Sequence, residues 1–244
     1  MKFIISLLTC LSIFIQAPAV QADEEGFGGD PDAIELAQRM VAKMGGAEIW
    51  SQIQSVHFVH NWHPYHREDV YLENEILDLT GPRSWVDMKS EIHHRVRAYS
   101  PEYFYWSHEN GELSTDQGDR FDNAISRAPF NLYRLARAIA RDDSNYSVTL
   151  AEGDIPGSRQ LQFSGPNGEV GGYVILNARH EPLVWATTQY RYTFGPMKQF
   201  GSVRLPNWAV YGNGTTLYEM VSFTASHQPP DLALFAPPDL ENEG

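Results

Sequence analysis

Cysteine is almost missing from this chain of 244 residues: the one copy, Cys10, lies inside an N-terminal apolar run. Everything after that run is therefore without disulfides, thiol nucleophiles or thiolate metal ligands. Positive charge is scarce as well. Eighteen Lys and Arg stand against 31 Asp and Glu, a net charge of −13 with neutral histidines, which disfavours general nucleic-acid binding and favours solubility. Familiar catalytic signatures are absent. His66 is followed by Arg67-Glu68-Asp69, with no second histidine where a zinc-protease helix needs one, and no G-x-S-x-G surrounds Ser158 or Ser164. The glycines at 165, 168, 171 and 172 fit neither a phosphate loop nor a dinucleotide fingerprint and read as turns. No carboxylate pair stands out, and nothing in the sequence demands a cofactor.

Lys2 precedes the apolar residues 3–15, and Val20-Gln21-Ala22 offers small residues where a signal peptidase reads. Residues 1–22 are expected to be a cleaved secretory signal, too short to stay as a membrane span. Leu7-Leu8-Thr9 before Cys10 makes a poor lipoprotein processing site. Residues 23–244 are expected to form one exported, periplasmic domain, with the acidic, glycine-rich residues 23–29 a disordered leader.

The stretch from Asp30 to Trp62 predicts a helix that hands over to a strand. Asp30 can cap the helix and Pro31 suits its first turn; Ala33, Leu36, Ala37, Met40, Val41 and Met44 make one apolar face; Gly45-Gly46 ends it. Trp50 and Ile53 share a face of a short second turn, and residues 55–62 are β-branched and aromatic. Further strands are expected at 70–79, 84–89, 92–98, 103–107, 147–151, 159–163, 172–176, 183–192, 201–204, 209–211 and 215–224, with Asn110-Gly111 the strongest hairpin signal. This predicts an α+β fold: a curled antiparallel sheet, a half-open barrel, with the N-terminal helix and mid-chain helices on its concave face.

The mid-chain helical segment carries an apolar stripe of Ile125, Pro129, Leu132, Ala136 and Ile139. Arg120, Arg127, Arg134 and Arg141 recur every seven residues, with Arg137 between the last two. These are either a solvated face balanced by Asp119, Asp122, Asp142 and Asp143 or a cap that meets anionic groups.

His57, His60, His63 and His66 recur every three residues and His93-His94 follow later. On an extended chain the four alternate between faces and spread over about 20 Å or more, too far for one ion. A metal would need one of these histidines together with His93, His94, His108 or a carboxylate such as Glu68 from neighbouring strands, and an alternative reading as a metal-dependent hydrolase rests on His57, His60, His93 and His94. Aromatic residues are the more informative excess. Tyr103-Phe104-Tyr105-Trp106 commits both faces of a strand to apolar surroundings, and Trp62, Trp85, Trp185 and Trp208 fall on or near other strands.

The signal, the opening helix closing on Met44-Gly45-Gly46, the Trp50, Ile53 and Val56 lead-in to the first strand, and the C-terminal run from Asp231 through Phe235 to Pro238 resemble the periplasmic lipoprotein-carrier (LolA-like) superfamily. The resemblance implies a half-open barrel lidded by helices, without a cofactor, that holds acyl chains or senses lipoproteins. On that basis the ligand-binding residues are expected to be Trp62, Trp85, Tyr103, Tyr105, Leu132, Leu135 and Ile139, with Arg134 and Arg137 meeting an anionic head, an acidic partner or a membrane surface.

Overall fold

The computed structural model describes residues 26–65, 68–212 and 214–238; the expected signal, Cys10 and His66 lie outside them. In chain order the elements are β1 (Gly28–Gly29), α1 (Pro31–Lys43), α2 (Ala47–Gln52), β2 (Ser55–Pro64), β3 (Tyr71–Asp78), β4 (Arg83–Lys89), β5 (His94–Ser100), β6 (Phe104–Glu109) and β7 (Glu112–Asp116). The helices α3 (Asp119–Arg127) and α4 (Leu132–Ala140) follow, joined by a 3-10 turn at Ala128–Phe130. Then come β8 (Ser147–Glu152), β9 (Arg159–Ser164), β10 (Val170–Leu176), β11 (Pro182–Thr187), β12 (Arg191–Phe194), β13 (Met197–Phe200), β14 (Val203–Pro206), β15 (Trp208–Tyr211) and β16 (Thr216–Ser226), with a closing 3-10 turn at Leu232–Phe235.

Fourteen strands form one sheet in the order β1-β8-β9-β10-β11-β12-β15-β16-β2-β3-β4-β5-β6-β7, and β13 and β14 pair apart from it. Among the described residues every pairing in the large sheet is antiparallel except β1 with β8, and β1 and β7 are its edges. The fold is thus the expected curled, unclosed sheet with few helices, a half-open barrel. Neighbouring strands in sequence are mostly neighbours in space, as short turns dictate. Asn110 and Gly111 both take positive φ, 50° and 91°, and close the β6–β7 hairpin as the dipeptide predicts.

Helix α1 buries most of the face read from its spacing: Ala33, Ala37, Met40, Val41 and Met44 are all at most 1% exposed, while Leu36 is half-buried at its edge. Each large side chain so buried contributes about 1.5–3 kcal/mol. The cap differs from expectation. Asp30 precedes the helix, but its carboxylate accepts no bond from the first turn and instead accepts the Leu150 amide of β8 at 3.3 Å, which ties helix to strand. Residues 26–29, expected as part of a leader, are ordered in the structure. Phe27 is buried against Phe163 and Tyr146, its amide donates to Asp142 Oδ1 at 2.9 Å, and Gly28 and Gly29 pair with Ser147 and Val148. A β-carbon on Gly29 would sit 2.0 Å from the Val148 carbonyl oxygen, so this approach needs glycine.

The glycines at 165 and 168 do form a turn, whereas Gly171 and Gly172 belong to β10, where they leave room for the Phe130 ring; a β-carbon on Gly171 would lie 1.8 Å from it. The run 183–192 is two strands, because Thr188 to Tyr190 make a turn within it.

Candidate functional site: an aromatic cavity with a charged wall

Between the concave face of the sheet and the α3–α4 segment lies a cavity of about 410 Å³, within the usual range for small-molecule sites. Strand alternation selects its walls. From β2 it takes Phe58, His60 and Trp62; from β3, Tyr71, Glu73, Glu75 and Leu77; from β4, Ser84, Val86 and Met88; from β5, Arg95 and Arg97. The register sets these in rows across four strands: His60, Glu73, Met88 and Arg95 in one, Phe58, Glu75, Val86 and Arg97 in the next. Trp185, Tyr192 and Tyr218 face them from β11, β12 and β16, and Leu132 and Tyr133 close the helical side.

The aromatic wall is continuous. His60 lies on Tyr218 with ring centroids 4.0 Å apart, Tyr218 meets Trp62 at 4.9 Å, Trp62 stacks on Tyr71 at 6.0 Å, and Tyr192 stacks on Trp185 at 5.6 Å. Burial lifts the Tyr192 and Tyr218 hydroxyls well above the usual phenol range, so both stay protonated.

The polar groups are set into that wall. His60 is 6% exposed, and neither ring nitrogen has a hydrogen-bond partner among the described residues. Burial pushes it down to about 3, so the imidazole is neutral at pH 7. Glu73, equally buried, accepts from Trp62 Nε1 at 3.1 Å and lies 3.9 Å from Arg97 Nη2; burial raises it, against the pull of Arg97. Glu75 accepts from Ser84 Oγ at 2.9 Å and is pushed up to about 7 by burial and by Glu73. This carboxylate pair was visible in principle: Glu-x-Glu on a strand puts two acids on one face, and Arg95-x-Arg97 does the same for two cations.

Of the residues expected to bind ligand, Trp62, Tyr105, Leu132 and Arg134 line the cavity. Trp85 is on the other face of β4, opposite Ala98 and, one strand further, Trp106, whose Nε1 donates to the Phe235 carbonyl of the closing 3-10 turn. Tyr103 precedes β6 in a turn and is 42% exposed. Leu135 and Ile139 are packed into the core rather than against the cavity.

Arg120 stays on a solvated face beside Asp116, whereas Arg134, Arg137 and Arg141 follow neither expected role. Arg134 is 5% exposed, and its Nε, Nη1 and Nη2 donate to the carbonyls of Asp78, Ala128 and Arg83 at 2.9, 2.8 and 2.8 Å. Arg137 Nε donates to the Ile53 carbonyl at 2.9 Å and Arg141 Nη1 to that of Ser51 at 3.3 Å, so both brace α4 on the end of α2. Arg127 sits over the Tyr190 ring at 4.5 Å.

The histidines named as alternative metal ligands stay apart. His57 is exposed on the face opposite His60, His94 meets Asp87 at 2.8 Å, and His93 lies 3.6 Å from Glu109. Among the described residues no three His, Asp or Glu side chains are grouped to hold an ion.

No family model and no curated protein matches the chain. Among solved structures, a DUF1329 family protein from Desulfovibrio piger is 9% identical with a TM-score of 0.47, over 83% of this chain and 95% of that one. A chain of the Pseudomonas aeruginosa MucA/MucB complex is 12% identical with a TM-score of 0.28, over 84% of this chain and 61% of that one. MucB alone is 12% identical with a TM-score of 0.22, over 86% and 65%. This chain thus spans less than two thirds of the latter two, and likenesses of this extent assign neither ligand nor partner.

Proposed function

We propose that the protein is an exported, periplasmic and non-enzymatic carrier or sensor that holds a lipidic ligand in the concave cavity. The observation that carries this reading is the cavity itself: about 410 Å³ of space walled by Phe58, Trp62, Tyr71, Trp185, Tyr192 and Tyr218. Aromatic and aliphatic walls of this kind favour an apolar chain by removing its surface from water. The resemblance to lipoprotein carriers points the same way. Trp62, Tyr105 and Leu132 keep their place among the proposed contacts, and Phe58, Tyr71, Tyr192 and Tyr218 join them. The hydrolase alternative draws no support from the geometry, since His57, His60, His93 and His94 do not converge.

Native mass spectrometry of the protein purified gently from its own periplasm tests the reading. The expected spectrum shows an adduct of lipid mass that organic extraction removes. A chain that emerges without any adduct, and whose tryptophan fluorescence does not respond to added dodecanol or dodecanoate, overturns it. A metal-sized increment of about one ion per chain would restore the hydrolase.

A further inference from the structure

An acidic chain has reversed its charge inside this cavity. The whole carries −13, yet among the described residues the lining holds four arginines, Arg95, Arg97, Arg127 and Arg134, against two glutamates. The four are not equivalent. All three guanidinium nitrogens of Arg134 donate to backbone carbonyls, and Arg127 donates to the Asn123 carbonyl while lying over Tyr190. Arg95 and Arg97 donate no hydrogen bond among the described residues, although Arg97 feels the charges of Glu73 and Glu75. The nearest acids stand 3.9 Å from each, Glu109 from Arg95 and Glu73 from Arg97, beyond hydrogen-bond reach, and Arg95 Nε is buried with no partner among the described residues.

The two lie at alternate positions of β5, so they share a face with Cα atoms about 6.6 Å apart, and their forks can close on one head group. Arg95 and Tyr105 also line an outer cleft with Ser107, Glu109, Glu112, Ser114 and Arg120, so this end of the cavity meets the outside. Opposite it, Phe58, Leu77 and Tyr133 are apolar and deep.

Resting on the carrier function proposed above, we infer that the ligand is an amphiphile with an oxyanion head, a carboxylate or a phosphate, gripped by Arg95 and Arg97 with its tail on the aromatic wall. Cations inside a low-dielectric pocket draw an anion more strongly than the acidic exterior repels it, because the wall focuses the field.

Calorimetric titration of the full chain with dodecanoate, dodecyl phosphate, dodecanol, acetate and inorganic phosphate, below micelle-forming concentrations, tests this. The two dodecyl anions are expected to bind at least about tenfold tighter than dodecanol, the worth of one or two charge-assisted bonds. Added salt should weaken them and spare dodecanol. In Arg95→Gln/Arg97→Gln the anions should fall to the affinity of dodecanol measured on the same variant. The single Arg95→Gln, which gives up the long contact to Glu109 and the smaller pull on Glu73, should show a partial loss even if the double variant does not fold. Equal binding of dodecanol and dodecanoate by the unaltered chain overturns the inference, as does a preference that survives in the variants. Inorganic phosphate binding as tightly as dodecyl phosphate also overturns it, because the site would then take a free anion. Failure of dodecanol and the dodecyl anions alike removes the carrier reading itself.

Discussion

Arg134 Nε donates to the backbone carbonyl of Asp78 at 2.9 Å, which places a charged side chain from α4 at the end of β3 with 5% exposure. Its other two donors serve Ala128 and Arg83, so one guanidinium stitches α4, the 3-10 turn and the β3–β4 turn together. Arg134→Gln should therefore destabilise the fold by about 3 kcal/mol or more, since buried carbonyls lose their donors. Arg39→Gln, which breaks only an exposed pair with Glu35, should cost about 0–1 kcal/mol. Urea unfolding of both variants checks the contrast. Equal midpoints would mean the guanidinium is an ornament of the surface.

His60 and Glu75 should move stability in opposite directions with pH. His60 is depressed to about 3 in the folded state, so between there and its ordinary 6.5 the unfolded chain holds more protons, and acidification destabilises. Glu75 is raised to about 7, so between its ordinary 4.5 and that value the folded chain holds more protons; its contribution is present at low pH and lost as pH rises through 7. Melting temperatures between pH 4.5 and 7 should show His60→Phe removing an acid loss and Glu75→Gln removing an acid gain, each by a few degrees, about 2–4 °C per kcal/mol in a chain of this size. Slopes unchanged in both variants would place the two groups in water.

Gly171 should not accept a side chain. A β-carbon there would meet the Phe130 ring at 1.8 Å, and Trp185 Nε1 donates to the Phe130 carbonyl at 2.7 Å from the neighbouring strand. Gly171→Ala should cost about 1–3 kcal/mol through overpacking, and Gly171→Ala/Phe130→Leu should recover part of it. A double-mutant cycle with no coupling would show that the ring is not seated on that glycine.

Asp30→Asn should cost less than an N-cap loss implies. Its carboxylate holds the Leu150 amide on β8 rather than the first turn of α1, and an amide oxygen can do the same. Thermal melts should shift by about 1 °C or less for Asn and by about 2–4 °C for Ala.

Much of the fold is written in local periodicity. The buried face of α1, the Trp50 and Ile53 turn and the Asn110-Gly111 hairpin follow from spacing and turn chemistry because each is settled within a few residues. The site is written differently. Glu73, Glu75, Arg95 and Arg97 become one wall only after β3, β4 and β5 pair in register, with Met88 and Val86 standing between acid and cation. Nothing local distinguishes these from solvated charges. Arg134 misleads for the same reason: its heptad spacing with Arg127 and Arg141 describes a helix surface, whereas its three carbonyl partners arrive from distant turns. Trp85 and Leu135 show the converse, since an apolar residue has two faces or two sides to pack on and sequence does not say which holds the cavity.

The fastening of α4 and the 3-10 turn before it also bears on time. Arg134, Arg137 and Arg141 bind it to carbonyls on β3, β4 and α2, and Phe130 is locked between Gly171 and Trp185. A segment held at so many points is a poor hinge. Under the carrier reading proposed above, passage into the cavity would then fall to Arg95 and Tyr105, where the inner space meets the outer cleft, through side-chain rearrangement rather than domain opening. Loading and release would be limited by desolvation and escape of the ligand itself, so the residence time of a bound amphiphile should lengthen with its chain and ignore the rigidity of the helices above it.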